Sequence, residues 1–357
     1  MTGRGIDQVL PRPGVPRLCE SWIKDARDYV RLAEAANGRI HTPVSYSYIW
    51  GDALDVLEKA SPDLRIINLE TSITAGGDCW AGKSVHYRMN PANSPSLKIA
   101  GIDLCVLANN HVLDWGYTGL HETLGTLKKE KIRYAGAGLN PREAGAPGIL
   151  EVSGKGRVVV FSFGSPSSGI PWEWAASENR AGINLLEEFS GEAIYDIEQK
   201  VKSVKQKEDI LVFSIHWGGN WGYSIPRNQT EFAHNLIDRA QVDIVYGHSS
   251  HHVKAIEVYG KKLILYGCGD FLDDYEGISG LEEFRADLGL MYFVQVDPIS
   301  GDLTRLEMVP TRTRNFRVNR ATKADTLWLA NALNRECLSF GTRVQTRGDD
   351  VLTLKWG

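Results

Sequence analysis

Residues 105–116 read CVLANNHVLDWG. A short apolar run passes at once into two asparagines, a histidine and an aspartate, and apolar residues then return at helical spacing over 118–129. A strand that ends in polar side chains and feeds a helix is the repeating unit of a helix-covered sheet, where ligand-binding groups gather at the strand ends. The pattern recurs outward in both directions. IINLE (66–70) supplies Asn68 and Glu70, VFSIHWGGNW (212–221) supplies His216 and Asn220, IVYGHSSHH (244–252) supplies His248, His251 and His252, and ILYGCGDFLDD (264–274) supplies Asp270, Asp273 and Asp274. Five strand ends therefore point at one site. Six of the nine histidines fall in or beside these segments when His86 is included.

Around this frame, apolar runs at 64–69, 104–108, 158–163, 210–215, 243–246 and 263–266 read as buried strands. Amphipathic stretches at 118–129, 193–205 and 230–241 read as helices between them, so the expected fold class is α/β. Ahead of the frame, 6–16 is proline-rich and irregular. Helical spacing over 20–36, through Trp22, Ala26, Tyr29, Val30 and Ala33, stops at Asn37-Gly38. Beyond Gly289, LMYFVQV (290–296) and LTRLEMV (303–309) flank a turn and predict an antiparallel hairpin before a terminal helix near 324–334. No repeat, low-complexity tract or Gly/Ser linker divides the chain. One integrated domain over 1–357 is expected, with its core at 60–310 and a C-terminal extension at 311–357.

A formal net charge of -4 on 357 residues disfavours generic nucleic-acid binding. A hydrophobic share of 43% beside a charged share of 24% is globular, which removes disordered, coiled-coil and collagen-like classes. No stretch approaches a membrane span and the first residues lack the apolar segment of a secretory signal, so a soluble cytoplasmic protein is expected. Cys19, Cys79, Cys105, Cys268 and Cys337 are widely spaced without CxxC, and are read as core thiols rather than a disulfide framework or zinc ribbon.

Histidine, asparagine and carboxylate side chains in this density suit a Zn, Mn or Fe site, since neutral imidazole and oxygen donors complete such shells. The same groups suit general acid–base catalysis without a metal, because imidazole titrates near neutrality and a carboxylate fixes its tautomer. Residue type leaves both open. The ordered set NLE, ANNHVLDWG, HWG, GHSSHHV and YGCGDF resembles the CapA-like family of poly-gamma-glutamate capsule synthesis, over about residues 3–309. That resemblance implies a calcineurin-like metallophosphoesterase fold, a four-layer αββα sandwich, with metal-ligand equivalents at Asn110, His216, His248 and His251. It also implies His111 as catalytic histidine beside Asp114, with Glu70 as the acidic residue after the first crossover. Two departures stand out. The family opens with a strand ending in Gly-Asp ahead of the segment matched here by Met1 to Gly5, so one ligand, and with it a central strand, is open to question: either the start is trimmed or misassigned, or the metal site is degenerate. The family also carries an acidic residue after HWG where Gly219-Asn220-Trp221 stands.

The departures favour a reading without metal, similar to soluble CapA-like proteins that invert a backbone Cα in lasso-type precursor peptides. Such a peptide epimerase needs a base, an acid on the other face and donors for the enolate oxygen. The expected catalytic residues are His111, Asp114, His216, His248 and Glu70; His86, Arg88, Asn110, Trp217 and Trp221 are expected to bind substrate. The precursor peptide is the expected partner, with a leader-binding protein as a further candidate and neither nucleic acid nor membrane. No cofactor is expected in this reading. The alternatives are a metal-dependent phosphoesterase using Mn, Fe or Zn, and a component of capsule polyglutamate synthesis. Each residue also has a plainer use. The NNH turn could cap a helix, His216 and His248 could be buried imidazoles satisfied by backbone, Asp270 could serve a turn, and Trp172 and Trp174 could be packing. Only one of His251 and His252 can occupy the family's position, and His252 is the one expected outside it.

Overall fold

The computed structural model describes residues 1–280, 282–348 and 350–357. Its architecture is mixed α/β with several sheets. Strands Ile66–Asn68, Leu104–Val106 and Arg133–Ala135 form a parallel sheet with Leu104–Val106 in the middle. A six-stranded sheet has four parallel strands at its centre, Gly156–Gly164, Ile210–His216, Ile244–His248 and Lys262–Leu265. Antiparallel strands Gly148–Val152 and Ile256–Tyr259 close its two edges.

Strand alternation decides how the sheets pack. Leu104 and Val106 of the first sheet meet Val160 and Val212 of the second in one buried apolar cluster, so the sheets lie face to face. Their neighbours turn outward. Phe161, Phe163, Leu211 and Phe213 pack with Ile194, Ile197 and Val201 of helix Gly191–Val204 and with Phe232 and Leu236 of helix Arg227–Asp238. Cys105 packs with Leu120, Leu124 and Leu127 of helix Gly116–Glu130. Helices thus cover the outer face of each sheet. The expected hairpin is present as Leu288–Val296 against Leu303–Arg314. The stretch after 310 is built into the same sheet, because Val351–Lys355 pairs with Leu303–Arg314 and Arg343–Arg347 pairs with Val351–Lys355. Helix Lys323–Cys337 opens with a capping box between Thr322 and Asp325, and buries Leu329 and Leu333 against the six-stranded sheet. A cavity of about 1230 Å³ runs between Ile66–Leu69 and Leu290–Val296 and reaches Glu70, His248 and Asp270.

Three expectations change. The segment 6–16 is not wholly irregular, since a short helix covers Arg4–Val9 and is pinned by the Arg4–Asp274 ion pair at 2.5 Å. The helix expected from residue 20 begins at Arg27. Glu20 is drawn out of it by Arg4 Nη1 at 3.0 Å and the Tyr29 hydroxyl at 2.5 Å, interactions that spacing does not encode. Its stop is where the sequence places it, with Gly38 at φ +92° donating to Glu34 O. Cys105, Cys268 and Cys337 are buried free thiols, as expected, but Cys19 and Cys79 form a disulfide. Their Cα atoms stand 6.4 Å apart after a separation of 60 residues, a pairing that spacing alone cannot reveal. No helix among the described residues is long and apolar enough to cross a membrane.

Leu104 is fully buried between the sheets. Leu104→Ala should cost about 2–5 kcal/mol in urea unfolding, through lost transfer energy and the cavity left behind. Leu338→Ala, at 78% exposed, should stay within about 0.5 kcal/mol of the parent.

Candidate functional site

The parallel register sets His216 directly beside His248, at the ends of adjacent strands. Their Nδ1 atoms are 2.7 Å apart, so one donates and the other accepts. Ser214, two residues back on the same face, lies 2.7 Å from His248 Nε2. Burial holds His216 well below its ordinary value and His248 at about 3, so both rings are neutral at pH 7.

The NNHVLDWG segment folds as turns, and its helix starts only at Gly116 without a side-chain cap. The capping use of this segment is therefore ruled out for Asp114. Its Oδ2 accepts from His111 Nδ1 at 2.6 Å and from the Tyr87 backbone N–H at 2.6 Å, and Lys83 Nζ stands 2.6 Å from Oδ1. Burial pulls the His111 imidazole down to about 4 against the opposing pull of Asp114. Burial pushes the Asp114 carboxyl upward, but His111 and Lys83 outweigh it and hold the group below the usual carboxylate range. With Nδ1–H spent on Asp114, the lone pair of His111 sits on Nε2, the arrangement of an oriented general base.

An oppositely poised histidine shares the cluster. His251 Nδ1 donates to Asp270 at 2.9 Å, and burial, which lowers its pKa, is outweighed by Asp270, which raises it to about 9. His251 is thus charged at pH 7 while His111 is neutral, and the charge of His251 adds to the lowering of His111. Glu70 follows the first sheet's edge strand Ile66–Asn68 by two residues. Burial lifts its carboxyl to about 7 against the charge of His251, and Asn68 Nδ2 donates to it at 2.8 Å. Asn109 ties the strand ends together by donating to Asn68 Oδ1 and Leu69 O, both at 3.0 Å. Glu70 Oε1 reaches within 3.9 Å of His216 Nε2.

The structure therefore brings Glu70, His111, Asp114, His216, His248 and His251 into one cluster, in which burial and then His248, His111 and His251 lower His216, and His251 opposes the burial that lifts Glu70. Others lie elsewhere. Trp217 is buried, its N–H donates to Tyr266 O at 2.9 Å and its ring stacks on Tyr266, so it packs the core instead of lining a groove. His86 and Arg88 share a face against Trp115, as their alternation suggests. His86 Nε2 meets Trp80 O and Arg88 Nη2 donates to Val15 O, while His86 Nδ1 is buried without a hydrogen-bond partner among the described residues. Trp221 keeps an edge of the site through His251, at 5.2 Å between ring centroids. His252 packs on Phe284, outside the His251–Asp270 pair. Trp174 is buried, whereas Trp172 is exposed.

The donor set expected for a metal keeps an uncommitted atom at three of its four positions, Asn110 Oδ1, His216 Nε2 and His251 Nε2, the last meeting only the Tyr275 hydroxyl at 3.5 Å. Asn110 Oδ1 and His216 Nε2 are buried atoms without a hydrogen-bond partner among the described residues. His248 spends both nitrogens on Ser214 and His216, and His251 spends Nδ1 on Asp270. Among the described residues, no group of three or more His, Cys, Asp or Glu side chains is arranged to hold an ion. Sequence reasoning missed Lys83, Tyr87 and Ser214. Lys83 lies in an irregular loop with no pattern to mark it, while Ser214 carried a usable signal, its alternation with His216.

An α/β scaffold with a buried histidine and carboxylate cluster at its strand ends is the class this geometry defines. The family model described as bacterial capsule synthesis protein PGA_cap matches residues 1–275, and the chain belongs to that family. A Mycobacterium tuberculosis protein named "Probable polyglutamine synthesis accessory protein" is 47% identical over 355 residues, covering 99% of this chain and 93% of that protein. The "Capsule biosynthesis protein CapA" of Bacillus anthracis is 26% identical over 54% of this chain and 46% of its own length. The "PGA biosynthesis protein CapA" of Bacillus subtilis is 27% identical over 54% of this chain and 48% of its own length.

The opposed shifts give stability a limb on each side of neutrality. His111 is held neutral below the ordinary 6.5, so the unfolded chain binds the extra proton and stability falls as pH drops from 6.5 toward about 4. His251 is raised, so its contribution is full below 6.5 and is lost as pH climbs through about 9. Urea unfolding between pH 4 and 10 should show both limbs. Asp270→Asn should flatten the alkaline limb and spare the acid one.

Proposed function

We propose that this chain is an accessory enzyme in the synthesis of a poly-amino-acid capsule polymer, of the polyglutamine or polyglutamate type. In this reading His111 is the base and His251 the acid. The observation that carries it is the pairing of a neutral His111, oriented by Asp114, with a charged His251, held by Asp270. Two titratable groups whose surroundings drive their proton affinities apart are the mark of an acid–base pair. The names of the relatives supply the setting, and the end-to-end match to the mycobacterial protein favours capsule-type synthesis over a lasso-type precursor as the substrate source. The scaffold we assign is the calcineurin-like four-layer αββα sandwich, supported by the face-to-face sheets and their outer helices.

The finer chemistry we assign is proton exchange at a backbone Cα. His111 Nε2 removes the proton, the imidazolium of His251 returns one, and the second N–H of the half-buried Asn68 amide, whose first is given to Glu70, steadies the oxygen that gains charge. A metal-dependent phosphoesterase reading draws support from Asn110 Oδ1 and His216 Nε2, and from His251 Nε2, whose ring is held by Asp270 through Nδ1.

His111→Ala and Asp114→Asn should each lower polymer output in a producing strain, and Cα deuterium uptake from D2O by a polyglutamate chain, by about 10²–10⁴-fold. Unchanged output with His111→Ala would end the acid–base reading. Uptake with EDTA present should equal uptake without it, and loss to the chelator would transfer the site to the metal reading.

A further inference from the structure

The Cys19–Cys79 disulfide joins the loop that contacts Asp114 to a segment that reaches Asp114 through Arg4 and Tyr87. Cys79 lies in a segment, 74–87, without helix or strand. One residue on, the Trp80 N–H donates to Asp114 O at 2.8 Å, and Trp80 O meets His86 Nε2 at 2.9 Å. Four residues on, Lys83 pairs with Asp114 Oδ1 at 2.6 Å and donates to Asn110 O. On the other side, Cys19 precedes Glu20, which holds Arg4 at 3.0 Å. Arg4 lies over the Tyr87 ring at 4.3 Å, and the Tyr87 N–H donates to Asp114 Oδ2 at 2.6 Å. The disulfide therefore closes a ring of polar contacts around the carboxylate that orients His111. Cys19 is exposed, whereas the three free cysteines are buried.

We propose that Cys19–Cys79 is a thiol-exchangeable latch that holds the Lys83 loop on the site. A thiolate of a small dithiol attacks the sulfur of Cys19, the Cys19–Cys79 bond breaks, and Cys79 leaves as a thiolate that takes a proton. The reagent's second thiolate attacks the mixed disulfide and frees Cys19, so the bridge gains two electrons and the dithiol is oxidised to its cyclic disulfide. With the bridge open, the loop keeps the Trp80 and Lys83 contacts and the edge packing of Trp80 on Trp174 and Tyr117, but no covalent tie to residue 19. Segments fixed by few contacts open locally at low cost. Disulfides persist in oxidising compartments and are rare in a reducing cytosol. The latch is accordingly closed in the first and open in the second, a consequence that the expectation of a cytoplasmic protein with five core thiols did not contain.

The full chain tests this without knowledge of its substrate. Peptide mapping under non-reducing conditions should recover the Cys19–Cys79 cross-linked peptide. Dithiothreitol should then speed amide hydrogen exchange in 77–87 by about tenfold while strand Ile210–His216 stays unchanged, and reoxidation should restore the slow rate. Cys19→Ser should show the fast rate without reductant. If that variant fails to fold, the reversible reduction of the parent protein decides alone. Free thiols at both positions after air oxidation, or equal exchange in 77–87 with and without reductant, would overturn the latch.

Discussion

Everything at this site depends on keeping one buried carboxylate ionised. Asp114 has no exposed surface, and burial by itself would favour its neutral form. Three donors prevent that, the His111 ring, the Lys83 ammonium and the Tyr87 backbone N–H. They come from two parts of the chain, so the ionised carboxylate exists only once the NNHVLDWG turn and the 74–87 loop that leads into Arg88–Met89 have been brought together. Removing one partner of such a group leaves an uncompensated buried charge, which costs more than the pair contributes. The site is thus a constraint on folding as well as a chemical device.

The sheets supply the complementary half. Parallel pairing with His216 opposite His248 puts two imidazoles side by side, and the same alternation that buries Val212 between the sheets sends Ser214 to His248. The Tyr246 hydroxyl accepts the Asn68 backbone N–H at 3.1 Å, tying the end of one sheet to the other where Glu70 follows. Packing between the sheets and geometry at their ends therefore come from one register.

Much of this was legible in the sequence for a physical reason: apolar runs and the polar residues at their ends are local features. The strands around Leu104, Ile210 and Ile244, the hairpin after Gly289, and the gathering of Glu70, His111, Asp114, His216, His248 and His251 all follow from them. What failed depended on contacts distant in sequence. Glu20 leaves a helical pattern because Arg4 takes its carboxylate, and Trp217 packs inward because Tyr266 offers a carbonyl. The Cys19–Cys79 pair and the partnership of Lys83 with Asp114 join loops whose composition carries no period. The family's metal-ligand pattern was visible as residue types, but which nitrogens stay free is settled by hydrogen bonds that only the fold arranges.

The central claim is that one histidine of the cluster is an oriented neutral base while its neighbour is an acid. Heteronuclear NMR of the imidazole nitrogens at pH 7, with His111→Asn and His251→Asn used for assignment, reads this directly. The account requires His111 neutral with its proton on Nδ1, and His251 carrying protons on both nitrogens. A charged His111, or a neutral His251, would contradict it.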